Sequence, residues 1–350
     1  MLVEKIEQKW IDCFCKSFRL SGVNSKHTVA ILSETQSRKI LVDLAEQALQ
    51  LIGAKPLTIS VPSPPVSDKL PIRSTGSSYA LRGYDSILPL LAGCDLIVDC
   101  TVEGILHTLE LKKLIENNGK VLMISNEHPE ILERLMPDEK ISSKVLKSLD
   151  MLATSSAMHV MSDAGTDLHV EIKDAPCRAG AGYLLEGQKV AYWPGGLALF
   201  FPLKNTVNGR VVLDVGDVNL TFKRYIETPV TLIVENDFVV SIEGKGLDAE
   251  IMRSYYEAWD DSDAYAISHV GWGLNNKARW ESMLMYDKTQ LNGTELRAFA
   301  GNFLISTGAN EFADRFTQCH FDIPMRKCSI SLDGEQIVSK GVLSGPLLNE

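Results

Sequence analysis

The sequence predicts an α/β amino-terminal domain with a parallel sheet, followed by an α+β carboxyl-terminal domain rich in antiparallel strands. Two observations lead to this prediction. Over residues 1–160, short apolar runs alternate with segments of helical spacing, which is the pattern of a parallel sheet covered by helices. Over residues 161–350, most apolar runs follow one another with only turn residues between them, as in antiparallel sheets.

The elements of the first domain are predicted from hydrophobic spacing and from breaker residues. An amphipathic helix is predicted over residues 3–18, and a helix over 37–52 ends where Gly53 follows it. A further helix is predicted over 109–116. Proline residues after position 61 place a loop there. Buried strands are predicted at residues 28–32, 57–61, 94–100 and 120–124.

The second domain is predicted to be mainly antiparallel. Turn residues such as Asn208-Gly209 and Asn236-Asp237 separate its apolar runs. Helical spacing returns over 249–259 and near 294–303, and a final hairpin is expected to turn at Asp333-Gly334. The strands are predicted at residues 189–193, 197–201, 210–215, 218–222, 229–234 and 238–242.

Composition restricts the partners of the chain. Its 350 residues are 45% hydrophobic and 23% charged, which is typical of globular proteins. The formal net charge of −10 repels phosphate groups, so neither nucleic acid nor a membrane surface is expected as a partner. No apolar run approaches the roughly 18 residues of a transmembrane helix, and the charged amino terminus is unlike a signal peptide. Scattered cysteines without a CxxC pair favour reduced thiols, so we expect a cytoplasmic protein.

Three histidines lie in contexts that point to chemistry. His320 and Asp322 form an H-x-D triplet in an extended segment, where alternate side chains share one face and can converge on one ion. His269 precedes two glycines that let the backbone bend tightly. His107 follows the strand predicted over 94–100, at the edge where open α/β sheets bind ligands, and is well placed for acid–base work.

Each of these contexts has a structural alternative. An H-x-D triplet arises by chance in many proteins, His269 could be a core histidine beside a β-bulge, and His107 could simply begin a helix. Nucleotide chemistry is not expected, because the sequence contains neither GxGxxG nor GxxxxGK[ST].

Six segments of the chain, in their order, resemble the thermophilic metallo-aminopeptidase superfamily. Those peptidases hold two metal ions with two glutamates, two histidines and an aspartate. Here Leu197 and His269 stand where that family has its glutamates, and Leu304 stands where it has a histidine, whereas His320 and Asp322 are retained. The resemblance therefore implies a thermophilic-metalloprotease-like fold with one metal ion on His269, His320 and Asp322, a ligand set typical of non-haem Fe(II) oxygenases. The segments are residues 164–169, 193–202, 213–217, 268–275, 301–308 and 319–324.

The chain resembles the 2,5-dihydroxypyridine 5,6-dioxygenase family of bacterial nicotinate degradation, which has the same departures from the peptidase pattern. Its segments ISHVGWGL, GNFLISTG and CHFDIP are similar to that family's signatures. The resemblance implies an Fe(2+) cofactor, O2 as co-substrate and His107 as catalytic base. It also implies extradiol-type cleavage of 2,5-dihydroxypyridine, giving N-formylmaleamate, or of a closely related hydroxylated N-heterocycle. We further expect Arg297, Ser306 and Tyr192 to contact the substrate and the chain to form a homo-oligomer. The chain departs from the family pattern over residues 178–183, where the family has an acidic residue, and at Tyr192, where it has a histidine.

Two other classes of function remain as alternatives. A metallo-aminopeptidase of the same fold could hydrolyse peptides with one ion, although the loss of three expected ligands disfavours this. A binding protein could reuse the fold without catalysis. Oxygen uptake with a dihydroxypyridine, or release of an amino acid from an aminoacyl substrate, would separate these functions.

Overall fold

The computed structural model describes residues 5–65 and 78–348. Among the helices described, none is long and apolar enough to cross a membrane. The helices are α1 (Gln8–Leu20), α2 (Lys39–Ile52), α3 (Leu88–Ala92), α4 (Leu109–Glu116), α5 (Pro129–Arg134), α6 (Glu139–Thr154), α7 (Leu247–Trp259), α8 (Ser282–Met285) and α9 (Thr294–Ala298). The strands are β1 (Thr28–Glu34), β2 (Lys55–Val61), β3 (Leu96–Asp99), β4 (Val121–Ile124), β5 (Ala157–Met161), β6 (Asp167–Glu171), β7 (Cys177–Gly180), β8 (Val190–Trp193), β9 (Leu197–Phe200), β10 (Val207–Leu213), β11 (Val218–Asn219), β12 (Arg224–Tyr225), β13 (Val230–Glu235), β14 (Phe238–Glu243), β15 (Ile267–Gly273), β16 (Phe303–Asn310), β17 (Arg315–Met325), β18 (Ser329–Leu332), β19 (Glu335–Ser339) and β20 (Val342–Leu343).

A five-stranded parallel sheet, in the order β2-β1-β3-β4-β8, forms the first layer of the molecule. Side chains alternate between its two faces along each strand. Val29 and Ile31 pack with residues of α1 and α2, whereas Ala30 and Leu32 pack with residues of α3 and α4. Both faces are therefore buried, which explains why the strands read as continuous apolar runs.

Two antiparallel sheets form the rest of the fold and share one core. The eight-stranded sheet has the order β14-β13-β10-β6-β5-β18-β19-β20, and the five-stranded antiparallel sheet has the order β17-β16-β15-β9-β7. Val160 and Leu168 of the first sheet and Val270 and Phe321 of the second belong to the same buried cluster. Each sheet therefore has one face in this core and one face outside it. Strands β11 and β12 form a separate pair.

The predicted fold class is confirmed, with a parallel sheet and helices first and antiparallel strands later. Helix α2 ends at Gly53, whose φ of 84° is left-handed as a helix stop requires. The final hairpin turns at Asp333-Gly334, where both residues have positive φ. Helix α1 begins at Gln8, later than predicted, and residues 1–4 lie outside the described residues.

Three of the predicted elements are wrong in part. The strand over 189–193 was assigned to the antiparallel region, but β8 pairs in parallel with β4 and closes the first sheet. Only Val218–Asn219 of the strand over 218–222 forms, because the Asn219 side chain accepts a hydrogen bond from the Phe222 backbone and turns the chain. The helix over 294–303 ends at Ala298, and Gly301 with φ 84° precedes strand β16.

The division into domains at residues 160 and 161 stays a prediction. Strand β8 returns to the parallel sheet after three strands of the antiparallel sheets have been formed. A single cut at residue 160 would therefore separate β8 from its partner β4.

Candidate metal centre

The outer face of the five-stranded antiparallel sheet, meaning the face away from the shared core, carries a row of buried polar side chains. His269 of β15 lies opposite Ser306 of β16, which lies opposite Asp322 of β17. Their neighbours Val270 and Ile305 point into the shared core, so the polar side chains project from the other face. A β-bulge lies between residues 267 and 269, as in the structural alternative given for His269. The histidine beside this bulge nevertheless belongs to a polar cluster.

Three donor atoms converge within this cluster. The Nε2 atoms of His269 and His320 are 3.4 Å apart. The Oδ1 atom of Asp322 lies 3.5 Å from the first of these nitrogens and 3.3 Å from the second. An ion about 2.1 Å from each of three adjacent ligand atoms requires separations of about 3 to 3.5 Å between them. The two imidazoles and the carboxylate predicted from the sequence therefore fit one divalent ion.

The protonation states suit metal binding. Burial raises the pKa of the Asp322 carboxyl, but Arg297 and the two imidazoles outweigh burial and hold this pKa well below its usual range. Burial lowers the pKa of His269 to about 3, although Asp322 opposes the shift. The carboxylate is thus ionised and the His269 ring is neutral at pH 7, which are the forms that ligate metal ions.

Arg297 and Ser306 both contact the Asp322 carboxylate in this structure. The Arg297 Nε atom donates to Asp322 Oδ2 at 2.5 Å, and the Ser306 hydroxyl donates to Oδ1. Arg297 lies on α9, and the buried Glu127 carboxylate accepts hydrogen bonds from the backbone N–H of Thr294, the first residue of this helix, and of the two residues before it. Such contacts orient a ligand carboxylate. The substrate contacts predicted for Arg297 and Ser306 stay predictions.

His107 comes to the same cluster from the parallel sheet. It lies between β3 and α4, beyond the carboxyl end of β3, as predicted. Its ring centroid is 4.2 Å from that of His320 and 6.4 Å from that of His269. Burial lowers the pKa of His107 well below its usual value, and the other two imidazoles lower it further. A donor nitrogen from each of the three rings lies within 4.8 Å of the others.

An apolar wall stands beside the donors. It contains Leu197 and Leu304, at the positions where the peptidase resemblance would require further ligands, and neither has a donor atom. Leu199 and Phe201 complete the wall, and the Phe201 ring is 5.6 Å from that of His269. These two residues were not predicted from the sequence, although residues 197, 199 and 201 have the period-2 spacing of one strand face. The wall therefore places apolar side chains, rather than further donor atoms, beside the cluster.

Tyr192 packs against this wall. Its hydroxyl oxygen is buried and has no hydrogen-bond partner among the described residues. Burial raises its pKa, Arg297 opposes the shift and Asp322 adds to it, so the phenol is near the cluster and protonated. A Cβ atom at Gly180 would overlap the Tyr192 ring, so the glycine leaves space for it. The predicted substrate contact of Tyr192 stays a prediction, and the hydroxyl is available for it.

The fold has a distant relative among solved structures. AmpT from Thermus thermophilus superposes with a TM-score of 0.64 at 12% identity, covering 97% of this chain and 99% of that chain. This likeness concerns the fold alone. The chain thus has the thermophilic aminopeptidase-type fold that the sequence predicts.

Closer relatives share both fold and sequence. The family model of 2,5-dihydroxypyridine 5,6-dioxygenase matches residues 9–345. The enzyme of that name from Pseudomonas putida is 34% identical over 332 residues, which is 94% of this chain and 94% of that protein. The solved structure of 2,5-dihydroxypyridine dioxygenase from Pseudomonas putida KT2440 has a TM-score of 0.90 at 33% identity, covering 96% of this chain and 97% of that chain. The chain belongs to the 2,5-dihydroxypyridine 5,6-dioxygenase family, and the predicted enzyme class, dioxygenase, is confirmed.

Proposed function

We propose that the chain is an Fe(II)-dependent, extradiol-type ring-cleaving dioxygenase acting on 2,5-dihydroxypyridine or a closely related hydroxylated N-heterocycle. The observation that supports it most is the convergence of His269, His320 and Asp322, with His107 beside them. Two imidazoles and one carboxylate are the ligand set of non-haem Fe(II) oxygenases and leave positions open for substrate and O2. Self-association is also part of the proposal, and only the family resemblance supports it.

In the proposed reaction, the protein would first hold and orient the ligand side chains of the ion. His269 and His320 would present Nε2 to the ion, and Asp322 would present Oδ1. Arg297 on the other carboxylate oxygen fixes the orientation of Asp322 and balances its charge. When bound, Fe(II) supplies the redox chemistry that lets O2 react with an aromatic ring.

His107 would act as the proton acceptor. Its imidazole lies beside the ligand His320, so a ring hydroxyl oriented toward the ion would come within its reach. Removal of that proton makes the ring electron-rich and thus more reactive toward O2. Cleavage between C5 and C6 places both oxygen atoms of O2 in the product, and for 2,5-dihydroxypyridine the product is N-formylmaleamate.

The apolar wall and Tyr192 would position the substrate. Leu199, Leu304 and Phe201 offer an apolar surface on which a flat heterocycle can pack. The Tyr192 hydroxyl, which lacks a partner among the described residues, can bond a polar edge of the ring. This combination of one apolar surface and few polar groups is typical of small-molecule sites.

The test is an oxygen-uptake assay under controlled metal loading. The protein is purified without O2, loaded with Fe(II), and mixed with 2,5-dihydroxypyridine while O2 consumption and ring absorbance are followed. We expect one O2 consumed per ring lost, no turnover with metal-free protein, and no turnover by His269→Ala. A panel of other hydroxypyridines in the same assay would define the substrate.

The control for this assay is His27→Ala, which removes a partly buried histidine at the opposite end of the parallel sheet from His107. This variant should keep full turnover. If iron-loaded wild-type protein consumes no O2 with any member of the panel, the proposed function is wrong. Release of an amino acid from an aminoacyl substrate would instead support the peptidase alternative.

A further inference from the structure

We propose that a second divalent transition-metal ion binds on the outer face of the eight-stranded sheet, at His159, Asp167 and His169. This peripheral site is separate from the proposed iron centre and needs no residue of it. The site follows from the register of strands β5 and β6, the positions of three donor atoms and the groove beside them.

The strand register brings the three side chains together. His159 of β5 lies directly opposite His169 of β6, and Asp167 lies two residues before His169, on the same face. The Nε2 atoms of His159 and His169 lie 2.7 Å and 3.4 Å from the same oxygen, Oδ1 of Asp167. The two rings are stacked, with centroids 4.0 Å apart and planes at 12°. All three donor atoms lie within 4.8 Å of one another.

The cluster faces solvent and is far in the fold from the proposed iron centre. The intervening residues Val160 and Leu168 point into the shared core, so the donors project outward. Their side chains are 31%, 58% and 67% exposed for His159, Asp167 and His169, so an ion can reach them. The proposed iron centre lies on the outer face of the other antiparallel sheet, so two sheets and the core separate the two clusters.

The donor set selects the chemical class of the ion. Two imidazole nitrogens favour Zn²⁺, Ni²⁺ or Cu²⁺ over Mg²⁺ and Ca²⁺, which prefer all-oxygen ligands. The Asp167 carboxylate adds one oxygen donor beside the two nitrogens. Three protein ligands leave a fourth position of a tetrahedral Zn²⁺ open. A groove of about 310 Å³ lined by both histidines adjoins the cluster, so water or a small ligand can fill that position.

One nearby cation must be considered. Arg210 of β10 lies opposite Asp167 in the register of β10 and β6. Its Nε atom, however, donates to the backbone oxygen of Gly165 at 2.9 Å, which directs the guanidinium to that loop. The alternative to the proposal is that Asp167 and the two histidines share only hydrogen bonds and bind no ion.

The test measures the number of ions bound per chain rather than catalytic activity. Metal-free protein is equilibrated with micromolar Zn²⁺, and bound zinc is measured by equilibrium dialysis with elemental analysis. Wild-type protein should bind two ions per chain. His169→Ala, which truncates an exposed side chain and so leaves the fold intact, should bind one, and Asp167→Asn should bind zinc at the peripheral site at least tenfold more weakly. His27→Ala is the control and should bind two.

The two sites are distinguished by a second pair of variants. His269→Ala should lose one ion and keep the other, and the double variant His169→Ala/His269→Ala should bind none. If His169→Ala and Asp167→Asn bind as much zinc as wild type, the peripheral site does not exist, whatever happens at His269. If His269→Ala binds as much zinc as wild type, the proposed iron centre fails instead.

Discussion

At the scale of single residues, Asp322 is the central residue of the proposed iron centre. Its carboxylate accepts hydrogen bonds from Arg297 and Ser306 and faces His269 and His320, so four side chains meet at this one carboxylate. His107 differs from these residues because it stacks on His320 rather than bonding to the carboxylate. Its loss should therefore affect chemistry more than ligation.

His107→Ala should lower kcat by about 10² to 10⁴-fold, the usual contribution of a positioned base, while iron content stays near that of wild type. Both quantities would be measured on one preparation, by oxygen uptake and by elemental analysis. His27→Ala is the matched control and should change neither quantity. Wild-type turnover in His107→Ala, or the loss of its iron, would show that the histidine is not the base.

At the scale of elements, the segment between β3 and α4 matters because it carries His107. Two buried carboxylates at the carboxyl ends of β1 and β3 hold this segment. Asp99 accepts hydrogen bonds from the backbone of Thr101 and Ile105, and Glu34 accepts one from the backbone of Val102. Neither acid was predicted from the sequence, although both lie at the sheet edge where ligands bind.

Asp99→Asn should therefore affect His107 through the segment that Asp99 holds. An amide cannot accept on both sides, so a buried N–H loses its partner and the free energy of unfolding falls by about 1–3 kcal/mol. The loop then holds His107 less firmly, and kcat should fall while KM changes less and iron content is retained. Chemical denaturation, steady-state kinetics and metal analysis would be run together.

The control is Asp95→Asn at the amino end of β3, where an exposed carboxylate accepts one hydrogen bond from the Thr28 backbone. It should leave kcat unchanged. A wild-type kcat in Asp99→Asn, despite reduced stability, would mean that the loop does not depend on this carboxylate to position His107.

At the scale of the whole molecule, the proposed iron centre joins two layers of the fold. His107 comes from the parallel sheet, whereas His269, His320 and Asp322 come from two strands of the five-stranded antiparallel sheet. These side chains are held in place only in the folded chain, so an ion bound to them favours the folded state. Thermal stability should therefore report on occupancy of the centre.

Fe(II) added without O2 should raise the melting temperature. A hundredfold excess of free ion over its dissociation constant contributes about 2.7 kcal/mol, which corresponds to a shift of a few degrees for a chain of this size. Mg²⁺ at the same concentration should have little effect, because imidazole ligands disfavour it. In the His169→Ala background, which removes the proposed peripheral site, His269→Ala should lose the shift, and a shift equal to that of His169→Ala alone would mean that the ion binds elsewhere.

Much of the architecture was predictable because buried strands and amphipathic helices leave local patterns. The helices over 39–52, 109–116 and 247–259 and the hairpin at Asp333-Gly334 follow from spacing, caps and turn residues. The pairing of strand β8 could not be predicted from such local patterns. The run over residues 189–193 correctly predicts a strand, yet the choice between a parallel and an antiparallel partner depends on β4, which lies far away in sequence.

The sequence by itself determined the alternating layers and the family and predicted the donor residues, because hydrophobic periodicity and an H-x-D triplet are local. Tertiary structure decided what surrounds those donors. The row from His269 through Ser306 to Asp322, the apolar wall of Leu197 and Leu304, and the pairing of His159 with His169 all depend on strand register. Register is set by packing between distant segments, so only the folded chain could show which side chains meet.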